Sequence, residues 1–376
     1  MFVTAAARKR SVRSRAHAAR YAAGSRDGWR DGWRDGYWMG LCECTVLRAA
    51  GTPPPVRDVH ILYVPTGKGF PYSPIDEAVA AGLGQLVTRL TVAGREEAVQ
   101  AAATVRPDLV LFLDGLHVPT DIPDRIRELG IRTAIWFTDD PYYTDLTASI
   151  ALHYDEVFTL EANCVDFYRA SGCPRVWHLP LGFHPGHFRP QNTPADVRCD
   201  VAFVGSGYWN RVAFFDRLLP YLEGRNIRII GYWWERLRDY ERFQSRIEGR
   251  WMTPQETAQV YSGAKIVINM HREPDDGTFN SNSLGVGAVS PNPRTFEIAA
   301  CASLQLTDVR GELAAYFVPG REIETYASPE ELAAKIDHYL AHEDERRAIA
   351  LNGLYRVMRD HSYVRRLEQM LGVLFG

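Results

Sequence analysis

Asn292-Pro-Arg-Thr-Phe-Glu-Ile-Ala-Ala-Cys-Ala-Ser-Leu-Gln-Leu-Thr307 is the stretch whose reading decides how this chain folds. Asn292 is a good N-cap and Pro293 is pre-set for the first helical position, so a helix begins here. Arg294, Thr295, Phe296 and Glu297 open that helix, and the apolar run behind them leads into a short strand. Upstream, Lys265-Ile-Val-Ile-Asn-Met270 reads as a strand, separated from the helix by a long, polar, Gly-rich loop. A helix mouth with free N–H groups, an arginine and a carboxylate suits a nucleoside diphosphate. The amides and Arg294 can meet phosphate, and Glu297 can accept both ribose hydroxyls. The plainer reading is an ordinary capped helix in which Glu297 complements the macrodipole, worth a few tenths of a kcal/mol.

The same alternation extends in both directions. Val59–Val64, Leu109–Leu113, Arg132–Phe137, Glu156–Leu160 and Val176–Leu179 read as strands, with helices near 121–129, 144–152 and 162–171. Leu109-Val-Leu-Phe-Leu113 is continuously apolar, as a strand buried on both faces must be. A second series runs through Cys199–Val204, Ile227–Ile230, Ile266–Asn269, Leu304–Leu306 and Ile323–Tyr326, with helices near 209–223, 255–262, 294–302 and 328–341. Between the series, Pro180 to Ala195 reads as a hinge. The expected fold is therefore α/β: two Rossmann-like, doubly wound domains facing a cleft, followed by an amphipathic helical tail over 344–375. Expected boundaries are 56–190 and 191–355 for the two domains and 356–376 for a C-terminal helix.

Residues 1–55 differ from the rest. Arg8, Lys9, Arg10, Arg13, Arg15 and Arg20 stand in the first twenty residues without an acid. Then Gly24, Gly28, Gly32, Gly36 and Gly40 recur every fourth position beside Trp29, Trp33 and Tyr37. Each glycine costs a helix up to about 1 kcal/mol, which predicts a flexible or partner-stabilised arm, with self-association through residues 24–40. Thr52-Pro-Pro-Pro55 marks the linker into the body.

Composition excludes several classes. At 376 residues the chain exceeds one ordinary core, and 46% hydrophobic with 24% charged residues is typical of a globular protein. A net charge of -3 gives no global case for nucleic acid or anionic membrane. No apolar run approaches the roughly 18 residues of a transmembrane helix. The six scattered cysteines form no zinc-type pairs, which suits reduced thiols in the cytoplasm. No metal and no cofactor are implied.

Ligands of open α/β sheets collect at the carboxyl ends of strands, and candidate residues cluster there. Gly205-Ser206-Gly207 opens a helix that carries Arg211, a setting for anion binding, although most such turns merely connect elements. A full G-x-G-x-x-G is missing because position 210 is Asn, which argues against a dinucleotide oxidoreductase. Asp139 and Asp140 follow a strand, and one of two adjacent carboxylates is expected to cap the turn before Pro141. Asp114 and His117 are further cleft candidates, and Thr66-Gly-Lys-Gly69 reads as a flexible loop too short for a phosphate cradle. Asn269 and His271 end a strand where buried polar groups need partners, either a ligand or a loop carbonyl. The loop from His271 to Pro293 is longer than structureless connections usually are.

The chain resembles the CgeB-like spore-maturation glycosyltransferases, within the two-domain GT-B nucleotide-sugar transferases. Ile135-Trp-Phe-Thr-Asp-Asp-Pro141, His178-Leu-Pro-Leu-Gly182, Phe203-Val-Gly-Ser-Gly207 with Asn210-Arg211, Ile266–Met270, Asn292–Glu297, Leu304–Asp308 and Glu322 to Tyr326 carry the likeness, over about residues 56–370. The resemblance implies sugar transfer from a nucleoside diphosphate sugar to a hydroxyl of a glycan or protein acceptor, with spore association as a corollary. It makes Glu297 the ribose-binding carboxylate and Arg211 and Arg294 diphosphate ligands. The donor set is then Gly205, Ser206, Arg211, Asn269, His271, Arg294, Thr295, Phe296 and Glu297, with Asp139, Asp140 and His117 on the catalytic side. Many retaining relatives carry a second Glu eight positions before this carboxylate, where this chain has Val289. A sugar-nucleotide-binding scaffold and a sugar-nucleotide epimerase are the alternative readings.

Overall fold

The computed structural model describes residues 3–376, with side chains from Arg20 onward. The first domain alternates β1 (Arg57–Val64), α2 (Ser73–Leu86), β2 (Val87–Val92), α3 (Ala98–Val105), β3 (Leu109–Leu113), α4 (Asp121–Glu128), β4 (Thr133–Phe137), α5 (Thr144–Ala151), β5 (Glu156–Thr159), α6 (Asn163–Ala170) and β6 (Val176–His178), after an N-terminal helix α1 (Val3–Ala49). Its six strands pair in parallel in the order β2-β1-β3-β4-β5-β6. β3 explains its own sequence. Leu109, Leu111 and Leu113 pack on one face with Leu83 and Trp136, while Val110 and Phe112 pack on the other with Ile126 and Tyr168.

The second domain contains β7 (Cys199–Val204), α7 (Trp209–Leu218), β8 (Ile227–Ile230), α8 (Tyr240–Phe243), β9 (Ile247–Glu248), α9 (Pro254–Gly263), β10 (Ala264–Asn269), α10 (Pro293–Ala300), β11 (Leu304–Asp308), α11 (Leu313–Tyr316), β12 (Glu324–Tyr326) and α12 (Pro329–Ala341). Its parallel order is β12-β11-β10-β7-β8-β9, so chain direction through the sheet reverses between β7 and β10. The first sheet reverses between β1 and β3. Both reversals open crevices at strand carboxyl ends, where side chains and ligands can enter.

The helical tail is not one helix. α13 (Glu343–Asp360) stops at His361, and Ser362 caps α14 (Tyr363–Phe375) by accepting the Arg365 N–H at 3.3 Å. The last helix therefore starts at 363 rather than 356. Tyr363, Leu367, Met370, Leu371 and Leu374 form its apolar stripe and bury it in the first domain, against α2. Gly82 on α2 lets the helices approach closely there, since a Cβ would lie 2.6 Å from Leu367 Cδ1 and the leucine would have to shift. The hinge at Phe183 and the start of the tail helix run side by side, the Tyr363 N–H donating to the Phe183 carbonyl at 3.0 Å.

α1 departs from the flexible arm expected of a glycine-rich repeat: residues 3–49 form one helix. Its last turns supply the missing stability. Cys42 is fully buried against Leu354 and Ala302, Trp38 lies under the Arg347 guanidinium, and Asp35 pairs with Arg198 at 2.6 Å. Along residues 24–40, a Cβ added at any of the five glycines would meet nothing within 4 Å among the described residues outside the helix's own backbone. Trp29, Trp33 and Tyr37 remain more than half exposed, with Trp33 and Tyr37 stacked on each other. Among the described residues, no helix is long and apolar enough to cross a membrane.

Candidate active site

A cavity of about 410 Å³ lies between the domains and is lined from both. On the second-domain side, the chain leaves β7 through Gly205-Ser206-Gly207 and enters α7, which carries Arg211. The missing side chain at Gly205 makes room for the guanidinium; a Cβ there would sit 3.0 Å from Arg211 Nη1. Arg211 Nε and Nη2 donate to the Met270 carbonyl at 3.1 and 2.7 Å, and Nη1 donates to the Ser206 carbonyl at 2.9 Å. Its hydrogen bonds go to main-chain oxygens, and among the described residues no carboxylate forms an ion pair with it, the nearby Asp308 acting only at longer range. Burial, and then the neighbouring Arg294, depress its pKa to about 10.

The mouth of α10 is braced from behind. Asn292 caps it, its Oδ1 accepting the Thr295 N–H at 3.1 Å. His271 holds the cap in place: Nε2 accepts the Asn292 N–H at 2.9 Å, and Nδ1 donates to Asp308 at 2.6 Å. With Nε2 as acceptor the ring is the neutral Nδ1–H tautomer, and burial lowers its pKa despite Asp308. Both ring nitrogens are occupied, so His271 positions the helix mouth and has none left for a ligand. Asn269 is buried too, its amide donating to Asn292 and Thr295 at 3.1 and 3.0 Å. Thr295 and Phe296 are fully buried, with Phe296 among Tyr316, Phe317 and His361. Asn269, Thr295 and Phe296 thus lie outside the cavity and build the wall behind it.

Gly205, Ser206, Arg211, Arg294 and Glu297 do face the cavity together. Glu297, one turn into α10, accepts no hydrogen bond from the described residues. Burial pushes its carboxyl up to about 7, against the pull of Arg294. A desolvated carboxyl without a protein donor is a receptor for hydroxyls.

The adjacent aspartates of the first domain separate into two roles. Asp140 is buried and accepts from Thr159 and Tyr168 hydroxyls at 2.6 and 2.7 Å. Burial raises its pKa to about 7. It ties β5 and α6 to the turn. Asp139 turns toward the cavity, and among the described residues its Oδ2 has no hydrogen-bond partner. Burial and the nearby Asp114 raise its pKa to about 6. His117 is elsewhere: it lines a neighbouring hollow of about 640 Å³ with Lys68, Tyr72, Arg95 and Tyr143, and Tyr72 is the wall shared with the cavity.

Sequence reading missed the contacts between domains. Glu161, two residues beyond β5, accepts the N–H groups of Val289 and Ser290 at 3.0 and 3.1 Å. The long loop from His271 to Pro293 also reaches across, where Ser283 donates its N–H and hydroxyl to Asp145 and the Ser281 N–H meets the Tyr142 carbonyl at 2.8 Å. Its length was the only signal. His184 and His187, in the hinge, also line the cavity.

Comparison with known proteins agrees with this geometry. Residues 211–372 match the family described as Glycosyl transferase-like. Spore protein CgeB of Bacillus subtilis (strain 168) is 29% identical over 299 residues, covering 78% of this chain and 91% of that protein. The chain is thus similar to CgeB and has the two-domain GT-B fold. Among solved structures, HepE of Anabaena in complex with UDP and glucose aligns over 84% of this chain and 99% of its own, with a TM-score of 0.58 and 12% identity. A glycosyltransferase from Rickettsia africae aligns over 84% and 98%, with a TM-score of 0.60 and 13% identity.

Proposed function

We propose that this chain transfers a sugar from a nucleoside diphosphate sugar to a hydroxyl of a glycan or protein acceptor. The observation that carries the reading is Arg211, a buried guanidinium hydrogen-bonded to main-chain carbonyls and, among the described residues, to no carboxylate, beside Arg294 and Glu297 at one crevice. Leaving a charge desolvated and unpaired costs several kcal/mol, which a bound diphosphate would offset through charge-assisted hydrogen bonds. Glu297 would take the ribose hydroxyls. The match of residues 211–372 to a glycosyl transferase-like family and the fold shared with the UDP-bound HepE structure support the same reading.

In the reaction, the acceptor oxygen bonds to the anomeric carbon as the bond from that carbon to the phosphate oxygen breaks. The acceptor proton passes to Asp139, and the nucleoside diphosphate leaves with its charge met by Arg211 and Arg294. These two cations take the role that a divalent ion would otherwise fill, so turnover is proposed to be metal-independent. The interdomain cavity limits competition from water. The hollow beside Tyr72 and His117 is the proposed acceptor approach. The exposed aromatic and glycine rows of α1 are proposed to mediate self-association, and a spore-surface setting follows from the CgeB likeness.

The test is to incubate purified protein with a panel of nucleotide sugars, with and without chelator, and to follow nucleoside diphosphate. Release that survives chelator is the expected result. An epimerised nucleotide sugar would make the chain an epimerase, and binding without turnover would make it a scaffold.

A further inference from the structure

The turn Thr66-Gly-Lys-Gly69 is not the loose loop its composition suggests. The Thr66 N–H and hydroxyl donate to Asp76 at 2.8 and 2.7 Å, which anchors its start to α2. Gly67 and Gly69 both sit at positive φ (65° and 68°), a conformation that costs other residues about 1–2 kcal/mol. The turn they make points Lys68 inward until its side chain is only 10% exposed. A lysine so buried needs a partner. It has one in Asp114, 2.5 Å away, which lies at the end of β3 and is itself at positive φ (68°) although it is not glycine. Asp114 is steadied by the Thr138 hydroxyl at 3.1 Å. The pair spans β1 and β3, where the first sheet reverses.

The glycine turn and the left-handed Asp114 thus converge on one ion pair, and the third member is Asp139, whose Oδ2 lies 3.8 Å from Lys68 Nζ. The ammonium also lies 4.4 Å from the Tyr72 ring centre, the wall between cavity and hollow. We propose that Lys68 is a positioning residue: it holds Asp139 in the charged, cavity-facing state needed to take the acceptor proton, while Asp114 keeps Lys68 in place. This rests on the transfer reaction proposed above for its chemistry, but not for its test.

The groups facing Asp139 are Asp114 from β3, Lys68 from the turn after β1, Arg272 from the loop after β10, and Tyr72 before α2. Burial and Asp114 favour the neutral acid; Lys68, Arg272 and Tyr72 favour the carboxylate. Removing the lysine charge should therefore move the titration of Asp139 upward, and removing the Asp114 charge should move it down.

The experiment is carboxyl ¹³C NMR titration of the full chain labelled at aspartate, with the Asp139 signal assigned by its loss in Asp139→Asn. The wild-type midpoint should lie near 6. Lys68→Met should raise it by about one unit, a tenfold change in the ionisation constant. Lys68→Arg should restore it, and Asp114→Asn should lower it. Thermal melts check that each variant folds, and Asp114→Asn gives an independent arm should Lys68→Met fail to fold. A midpoint unmoved in folded Lys68→Met, or unmoved in Asp114→Asn, overturns the proposal. With a nucleotide sugar that turns over, the acid limb of the rate profile should move by the same amount in Lys68→Met. Absence of any turnover in the wild type would count against the transfer reading and leave the NMR result to decide the role of Lys68.

Discussion

Glu297 offers a sharp test because its ionisation and its ligand are linked. In the free protein its carboxyl is pushed up to about 7 by burial, so near pH 7 about half the molecules hold a proton there. Ribose hydroxyls donate hydrogen bonds, and only the carboxylate accepts from both; binding should select the ionised form and release the proton. From this pKa, the ionised fraction rises from about one-tenth near pH 6 to about nine-tenths near pH 8. Affinity should therefore improve about tenfold across that range, or about 1.4 kcal/mol. Isothermal titration calorimetry with an intact nucleotide sugar, run in buffers of different ionisation enthalpy, reads both quantities. A nucleotide sugar is the right probe because a free diphosphate terminus titrates in the same range. Near pH 7 about half a proton should be released per ligand bound, and Glu297→Gln should remove both the proton release and the pH dependence. It should also cost about 1.5–3 kcal/mol in affinity at the upper pH, the scale of hydrogen bonds to a charged group. Proton uptake on binding, or a folded Glu297→Gln with wild-type affinity, would refute the assignment of Glu297 to the ribose.

Arg211→Met should weaken nucleoside diphosphate binding by at least about 2 kcal/mol while hardly changing nucleoside binding, and equal loss for both would mean that the guanidinium does not read phosphate. Asp139→Asn should keep the wild-type melting temperature and lose turnover, whereas Asp140→Ala should lose about 1–3 kcal/mol of stability because the Thr159 and Tyr168 hydroxyls lose their acceptor. The raised pKa of Asp140 means the native state keeps a proton that the unfolded chain sheds near 3.8. That contribution to stability is complete below about pH 4 and is lost as pH rises through 7, so melts of Asp140→Asn should fall less steeply over this window. Deleting residues 1–34, which spares Asp35, Trp38 and Cys42, should leave the melting temperature and donor binding intact and reduce self-association in analytical ultracentrifugation; an unchanged sedimentation profile would remove α1 from any role in assembly.

What the sequence disclosed followed from local physics. Runs such as Leu109–Leu113 admit few structures other than a strand covered on both faces, and the Asn292-Pro293 signal placed the start of α10 at the residue observed. Short or edge strands were less legible: β2, with its exposed Thr88 and Arg89, carries no continuous apolar run, and β9 is two residues long. Arg211, Arg294 and Glu297, singled out because they open helices at strand ends, do come to line one cavity. The roles of Asn269 and His271 depended on which partner they found, and that partner proved to be the Asn292 cap. The adjacent carboxylates Asp139 and Asp140 were equivalent on paper; only the hydroxyls of Thr159 and Tyr168, arriving from other elements, tell them apart. Lys68 was unreadable for the same reason, since its partner lies 46 residues away in sequence, after the next strand but one (114 − 68). α1 shows the opposite error: helix propensity alone argued against it, and its packing on α13 outweighs the glycines at its seated end.

The bond between the anomeric carbon and phosphate is proposed to break in the cavity between the domains. Proton NMR can follow the anomeric signal of a nucleotide sugar directly, in the presence of wild-type protein and of Arg211→Met and Asp139→Asn. The account predicts that wild-type protein consumes this signal while free nucleoside diphosphate and a glycoside or free sugar appear, and that both variants slow the loss by about a hundredfold or more, the scale of losing one charge-stabilising or proton-transfer group. An anomeric signal that persists across the panel of nucleotide sugars, or is replaced by that of an epimeric nucleotide sugar, would contradict it.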